Sequence, residues 1–473
     1  MASNGYTNGY TNGYTNGHTS DRSGIEVSFD EADYAATDII KRDFCIIGGG
    51  STGTYTAVRL KDYNKSLVLI EKNDRLGGHA ETYRDPASGV TLDIGVIVFG
   101  HLKEVKDYFQ RFNVPLKKAE ITMGAPDYVD FKTGRKHDFK PPVPEEIGAA
   151  MHKYAIQLMS YPEVQAGFAL KYPISEDLLL PFGEYMKKYQ LEGMIQAAFS
   201  YCQGYMPFLE LSTLYVMKYW NADLLNTLSN GFLMTETNNI GELYSKAAQS
   251  LGSDVLLNSR VASMDRSASD AVEVVVDTPT GNRLIIAKKI ISTIPHHKHN
   301  LAGFDLSDTE DSLFSQFTWS GFWAGVLKNT GLTQYHPIHT YGPDKVHGIP
   351  DMPGIYAINP SRAPGLYQFY YGGPGDLSEE EVKKDVIDSI KRIQKERSIE
   401  AASDPEIVKF ANHTPFNLIV PNQAIRDGFY DKLYALQGQR NTWYNGASFH
   451  AQDSSVLWRF TEALLPRILE SVK

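Results

Sequence analysis

Phe44-Cys-Ile-Ile-Gly-Gly-Gly-Ser-Thr-Gly-Thr-Tyr-Thr-Ala-Val-Arg-Leu60 is the stretch that decides the fold. An apolar run of strand type reaches Ile47, and the glycines from Gly48 to Gly53 turn it into a helical pattern. Gly48 permits the tight turn, Gly50 lets the backbone approach a pyrophosphate, and Gly53 lets the helix pack closely on the strand. Ser51 and Thr52 open that helix, whose free N–H groups and positive dipole end face the phosphates. Ser66-Leu-Val-Leu-Ile70 then reads as a second strand. It ends on Glu71, about 20 residues past the glycines, where a carboxylate binds ribose hydroxyls.

Asn73-Asp-Arg-Leu-Gly-Gly-His-Ala-Glu-Thr82 follows directly. A glycine pair after an arginine is foreign to the nicotinamide pattern. It resembles the extension that FAD-binding enzymes of the amine-oxidase superfamily carry after their second strand. The resemblance implies FAD and lays Arg75, Gly77 and Gly78 along its diphosphate. His79 stands where many relatives have arginine, which alters the phosphate contact. Gly89-Val-Thr-Leu-Asp93-Ile-Gly95 alternates like a strand, and a similar Asp-x-Gly segment of the family passes near the flavin ring.

Two later regions extend the likeness. A helix over 240–251 is followed by a strand-like stretch over 254–264, a hairpin (272–276 with 284–286) and a buried strand ending at Pro295. That order resembles the way these flavoproteins re-enter their FAD domain, and it places the Val261 backbone at the adenine. Asn441-Thr-Trp-Tyr-Asn-Gly-Ala-Ser-Phe-His450 runs into a helix from Ser454, resembling the C-terminal FAD motif of the superfamily. There Gly446 and Ala447 would meet the ribityl chain or flavin, with the helix N-terminus at the pyrimidine edge. The stretches 48–55, 76–83, 180–192 and 252–257 resemble the fungal β-cyclopiazonate dehydrogenase type, over most of the chain after about residue 40.

The fold class expected is α/β, a Rossmann-like FAD-binding domain (GR2-type) with an interleaved α+β substrate domain. The FAD domain takes 39–120, 235–300 and 421–473, and the substrate domain takes 121–234 and 301–420. Residues 1–38 form a leader. Its Asn-Gly-Tyr-Thr repeat over 4–19 has turn residues and no apolar periodicity, so it reads as disordered. The helix over 378–397 is charged and reads as exposed. The aromatics Phe182, Tyr185 and Tyr189, with Met186, recur at helical spacing and read as core.

At 473 residues with 42% apolar and 22% charged residues, the chain suits two sizeable globular domains. A net charge of −10 argues against nucleic acid as a partner. No apolar run of spanning length and no signal-peptide pattern appears, so no membrane span and a cytoplasmic location are expected. Asn64-Lys-Ser66 and Asn412-His-Thr414 match the glycosylation pattern, which means little without secretion. Cys45 and Cys202 make no disulfide framework, and Cys45 reads as a small buried hydrophobe. His296, His297 and His299 lie close together and read as a solvated loop rather than a metal site.

The residues and the resemblance together imply an FAD-dependent oxidoreductase. It removes a hydride from a carbon bearing N or O in a small-molecule substrate, in fungal secondary metabolism, and passes electrons to oxygen or another acceptor. The lysine that amine oxidases often carry beneath the flavin is missing from Ser320-Gly-Phe-Trp-Ala-Gly325. That departure speaks against an amine and opens a sugar-like alcohol of a kojic-acid-type pathway. A redox-neutral flavin isomerase and a flavin-binding pathway-assembly protein are the other readings. Trp323, Tyr370 and Tyr444 are the candidate pocket aromatics and His450 the candidate base. There is no C-terminal cysteine for a covalent link, so FAD is expected to be non-covalent. His79 and His450 are the alternative attachment points.

Overall fold

The computed structural model describes residues 27–119, 125–333, 336–401 and 403–473. The repeat tract over 4–19 lies outside the described residues. Strand β1 (Ile39–Ile47), helix α1 (Ser51–Asp62) and strand β2 (Leu67–Ile70) follow the predicted order. Phe44, Cys45 and Ile46 are all fully buried, as a strand covered on both faces requires. Burial pushes the Cys45 thiol up to about 12, so it packs as an inert hydrophobe.

β1 pairs in parallel with β2 on one side and with Gly281–Ser292 on the other. The seven-stranded sheet continues antiparallel through Val272–Thr278 to Arg260–Asp265, and beyond β2 to Val255–Leu256. Thr442–Tyr444 adds in parallel to Gly281–Ser292. Two expectations change here. The stretch over 254–264 is two strands on opposite edges of the sheet, because its 257–259 segment turns across the end of β2, where the Ser259 N–H donates to the Glu71 carbonyl. The segments 284–286 and 289–292 are one continuous strand, long enough to pair both β1 and the hairpin partner.

The second sheet has eight strands, with Thr318–Lys328 between Glu406–Asn412 and Tyr367–Pro374. Gly354–Pro360, Ile338–Thr340, Asp127–Asp130 and Arg135–His137 complete the row, and Leu418–Ile419 pairs the start of Thr318–Lys328. Helix Glu379–Glu396, started by a Ser378/Glu381 capping box, is not simply exposed. Its Val382, Val386, Ile390 and Ile393 stripe is buried against one face of this sheet, beside Trp323, Phe369 and Tyr371. The opposite face joins the main core, where Phe322, Ala324 and Tyr370 meet the helices between Pro144 and Asn230. Phe182, Tyr185 and Met186 are buried there, and Tyr189 is half-buried.

Residues 27–38, counted with the leader, carry defined local structure. Asp30 caps the turn Glu31–Asp33, the Tyr34 hydroxyl donates to the Ser28 carbonyl, and Lys41 of β1 pairs with Glu31. The histidine group also differs from a solvated loop. His296 and His297 are buried, with His297 stacked on Trp319 at 4.4 Å, and only His299 is exposed. No cluster of metal-ligating side chains occurs among the described residues. No helix among them is long and apolar enough to cross a membrane.

Candidate active site

A cavity of about 760 Å³ runs over the carboxyl ends of β1 and β2, where open α/β sheets bind ligands. Its lining includes Gly48, Gly50, Ser51, Thr52, Glu71, Arg75, Gly77, Gly78, His79, Val261, Gly446 and Ala447. Sequence separations of up to about 400 residues thus converge on one trough. Gly53 is not on the wall but beneath it. A Cβ on Gly53 would stand 1.8 Å from the Gly48 carbonyl oxygen, so only glycine lets α1 start this close to the turn. Gly48 itself has φ +100°, in the left-handed region. At Gly50 a Cβ would meet nothing within 4 Å; the space before it is open cavity. No side chain caps the N-terminus of α1, which leaves its N–H groups to a ligand.

The charged groups around the turn are largely committed to holding its shape. Glu71 accepts from the Gly49 N–H at 2.7 Å and the Asn73 N–H at 2.9 Å. Each carboxylate oxygen keeps a lone pair for a ribose hydroxyl. Arg75 donates to the Ala80 and Gly78 carbonyls at 3.0 Å and pairs with Glu81 at 3.1 Å. Its guanidinium therefore braces the Gly77-Gly78 turn while lining the trough. Asp93 accepts from the Thr82 hydroxyl at 2.6 Å and the Ile240 N–H at 2.8 Å, and burial pushes its carboxyl up to about 6. It fixes the segment carrying Gly95.

A second cavity, of about 860 Å³, adjoins the first. Gly95, Val96, Tyr201, Gln203, Tyr219, Gln452, Asp453 and Ser454 line both, and so form the rim between them. Leu92, Ile97, Val98, Leu102, Leu224, Phe232 and Met234 make much of the second wall apolar. Asn238, Asn359, Gln368, Tyr370 and Arg362 supply polar groups. Arg362 is the only arginine or lysine among the described residues that line it, and it forms no ion pair with any described residue. Asp453 caps the helix Ser454–Glu470 through the Ser455 N–H at 2.8 Å, and burial raises its pKa.

Of the four candidate catalytic side chains, Tyr370 alone lines a cavity, and burial raises its hydroxyl pKa. Trp323 points to the other face of its strand, fully buried and 6.0 Å from the Tyr371 ring. Strand alternation gives the cavity Phe322 instead. Tyr444 is turned into the protein, donating to Glu310 at 2.5 Å. That carboxylate makes a two-pronged pair with buried Arg266, at 2.8 and 3.1 Å. His450 packs on Phe460 at 5.6 Å and lines neither cavity. Burial first, then the charges of Lys218 and Arg459, hold its pKa well below the ordinary value. No lysine of the strand Thr318–Lys328 lines either cavity.

Sequence reasoning missed an aromatic wall on the first cavity. His79 stacks on His413 at 4.5 Å, and Phe322 and Phe416 lie 5.0 Å apart beside them. His413 sits in the sequon read only as a glycosylation pattern. The available signal was the Asn-His-Thr-Pro-Phe run directly after a strand. Both ring nitrogens of His413 are buried and have no partner among the described residues, a state that costs roughly 1–3 kcal/mol per group unless a ligand satisfies them.

The open space at Gly50, the uncapped helix, the Glu71 carboxylate and the orphaned His413 nitrogens all fit a dinucleotide that extends past the turn to a polar ring system. The model of the flavin containing amine oxidoreductase family matches residues 52–410. The FAD-dependent oxidoreductase dbaF of Emericella nidulans is 37% identical over 451 residues, covering 94% of this chain and 95% of the relative. The β-cyclopiazonate dehydrogenase of Aspergillus flavus is 35% identical over 436 residues, covering 92% and 94%. Among solved structures, the CLA-producing fatty acid isomerase from P. acnes superposes with a TM-score of 0.72 at 19% identity, covering 90% of this chain and 98% of that one. Putrescine oxidase does so with 0.66 at 15%, covering 91% and 100%. These last two share the fold. The chain belongs to the flavin containing amine oxidoreductases, with FAD as its cofactor and oxidation–reduction as its chemistry.

Proposed function

We propose that the protein takes a hydride from a carbon bearing O or N in a largely apolar metabolite of fungal secondary metabolism, bound in the second cavity. The observation that carries this reading is the shared rim, which brings one cavity shaped for a dinucleotide against another with a separate lining. Bound FAD supplies the two-electron acceptor. The chain's own part is to bind, orient and keep water out. The aliphatic wall from Leu92 to Leu102 suits a substrate with a sizeable apolar body. Hydroxyls of a sugar-like alcohol set against that aliphatic wall would find no partner on it, which is costly, and only those at Asn238, Asn359, Gln368 or Tyr370 would be satisfied. Arg362 suits an acidic group, a carboxylate or an enol, at the polar side of the cavity. Asp453 and Tyr219, on the rim, are the groups placed to hold a substrate proton.

The test begins with the visible spectrum of the purified protein before and after acid precipitation. Yellow colour released to the supernatant supports non-covalent FAD. Anaerobic addition of metabolites then shows which bleach the flavin. Bleaching by apolar acidic compounds and not by sugar alcohols supports the reading; the reverse pattern refutes it.

A further inference from the structure

His413 is 3% exposed, and neither of its ring nitrogens has a hydrogen-bond partner among the described residues. Burial, followed by the charges of His79 and Arg75, holds its pKa well below the ordinary value. The ring is therefore neutral and carries one N–H donor and one acceptor nitrogen. His79 covers one face at 4.5 Å with planes 27° apart, and Phe322 lies tilted at 5.7 Å. A side chain cannot enter from the Gly95 side either, since a Cβ there would stand 2.4 Å from His413 Cε1. His413, His79, Phe322 and Gly95 all line the first cavity, and Gly95 also belongs to its rim with the second. The group that completes this imidazole has to come from within the first cavity, next to the rim.

We propose that His413 hydrogen-bonds the flavin ring and thereby sets its reduction potential, with His79 as the stacking plate that fixes the imidazole. This rests on the reading of the first cavity as the FAD site. Reduction adds electron density to the ring system, so a neutral donor aimed at it stabilises the reduced form more than the oxidised one. His79 acts on the flavin through His413 and is a positioning residue.

The experiment compares the midpoint potential and visible spectrum of FAD bound to the wild type, His413→Phe, His413→Gln and His79→Phe, by anaerobic dye-equilibrated reduction. His413→Phe keeps the ring stack and loses both nitrogens. It is expected to retain FAD while its reduced-to-oxidised ratio falls about tenfold, ~30 mV for a two-electron couple. His413→Gln restores most of that shift, and His79→Phe moves it less than His413→Phe does. An unchanged potential in His413→Phe with FAD bound overturns the inference and leaves the FAD site standing. Should His413→Phe lose FAD, His413→Gln decides: wild-type-like potential supports the hydrogen bond, and equal loss of FAD overturns it in favour of a structural plate. A wild-type protein that neither carries nor takes up FAD overturns both readings.

Discussion

Replacing Gly50 with alanine separates what the turn does for the fold from what it does for the cofactor. Gly50 has φ −66° and ψ −172°, a conformation open to any residue. A methyl group there would meet nothing within 4 Å. Gly→Ala at a compatible site stabilises by about 0.4–1 kcal/mol, because the unfolded chain loses freedom. The FAD-stripped Gly50→Ala protein should therefore melt at or slightly above the wild-type temperature. The same methyl occupies the space through which a phosphate reaches the N–H groups of α1. Losing one hydrogen bond to a charged group costs ~1.5–3 kcal/mol, which weakens FAD binding about 10- to 150-fold. Gly53→Ala is the contrast. Its Cβ would lie 1.8 Å from the Gly48 oxygen and 2.7 Å from Thr293 Oγ1. Such overpacking costs ~1–3 kcal/mol or more, so it lowers the melting temperature before any cofactor is added. Thermal unfolding of the stripped proteins and FAD titration followed by flavin fluorescence measure both effects. The reasoning fails if Gly50→Ala melts as low as Gly53→Ala, or binds FAD as tightly as the wild type.

Trp323→Ala should destabilise the fold by ~3–5 kcal/mol, read by urea unfolding, since it empties the layer under helix Glu379–Glu396. Its bound-flavin spectrum should stay that of the wild type, whereas Phe322→Ala should alter it. Burial alone would raise the Glu310 carboxyl, but the Arg266 hydrogen bond and charge pull it from 4.5 down to about 2. Its contribution to stability is thus fully present above pH 4.5 and lost as the pH falls toward 2. Glu310→Gln should flatten that acid limb of the stability–pH curve and cost ~1–3 kcal/mol at neutral pH, since Arg266 keeps its ion pair with Asp305. Arg362→Ala should raise about tenfold the concentration of an acidic substrate needed for half-maximal anaerobic bleaching, with the limiting rate little changed.

The turn over 48–53 was legible because its constraints are local. Positive φ at Gly48, a missing Cβ at Gly53 and open space at Gly50 follow from adjacent residues and a known phosphate geometry. The candidate pocket aromatics are less legible, because composition does not reveal which face of a strand points inward. Thr318–Lys328 is buried on both faces, so alternation offers no contrast between Trp323 and Phe322. The inward turn of Tyr444 has no local signal, because its partners Arg266 and Glu310 lie more than 130 residues away. The His79–His413 stack joins two turns in the same way, across a separation no local pattern records.

The two cavities also differ in what builds them, and that bears on function. Much of the first is backbone: the glycine turns at 48–50, 77–78 and 446, and the bare N-terminus of α1. Backbone geometry depends on a few glycines and on sheet pairing, so many substitutions elsewhere leave it intact. The second is walled mainly by side chains from 91–102, 219–238 and 359–370. A change of one such side chain reshapes it without touching the strands that hold the cofactor. On the proposed reading, substrate choice resides in those segments, and cofactor choice in the turns. Under the proposed function, a chain so divided keeps one cofactor site while its substrate varies, because the two cavities meet only at a rim that includes Gly95, Tyr219 and Asp453.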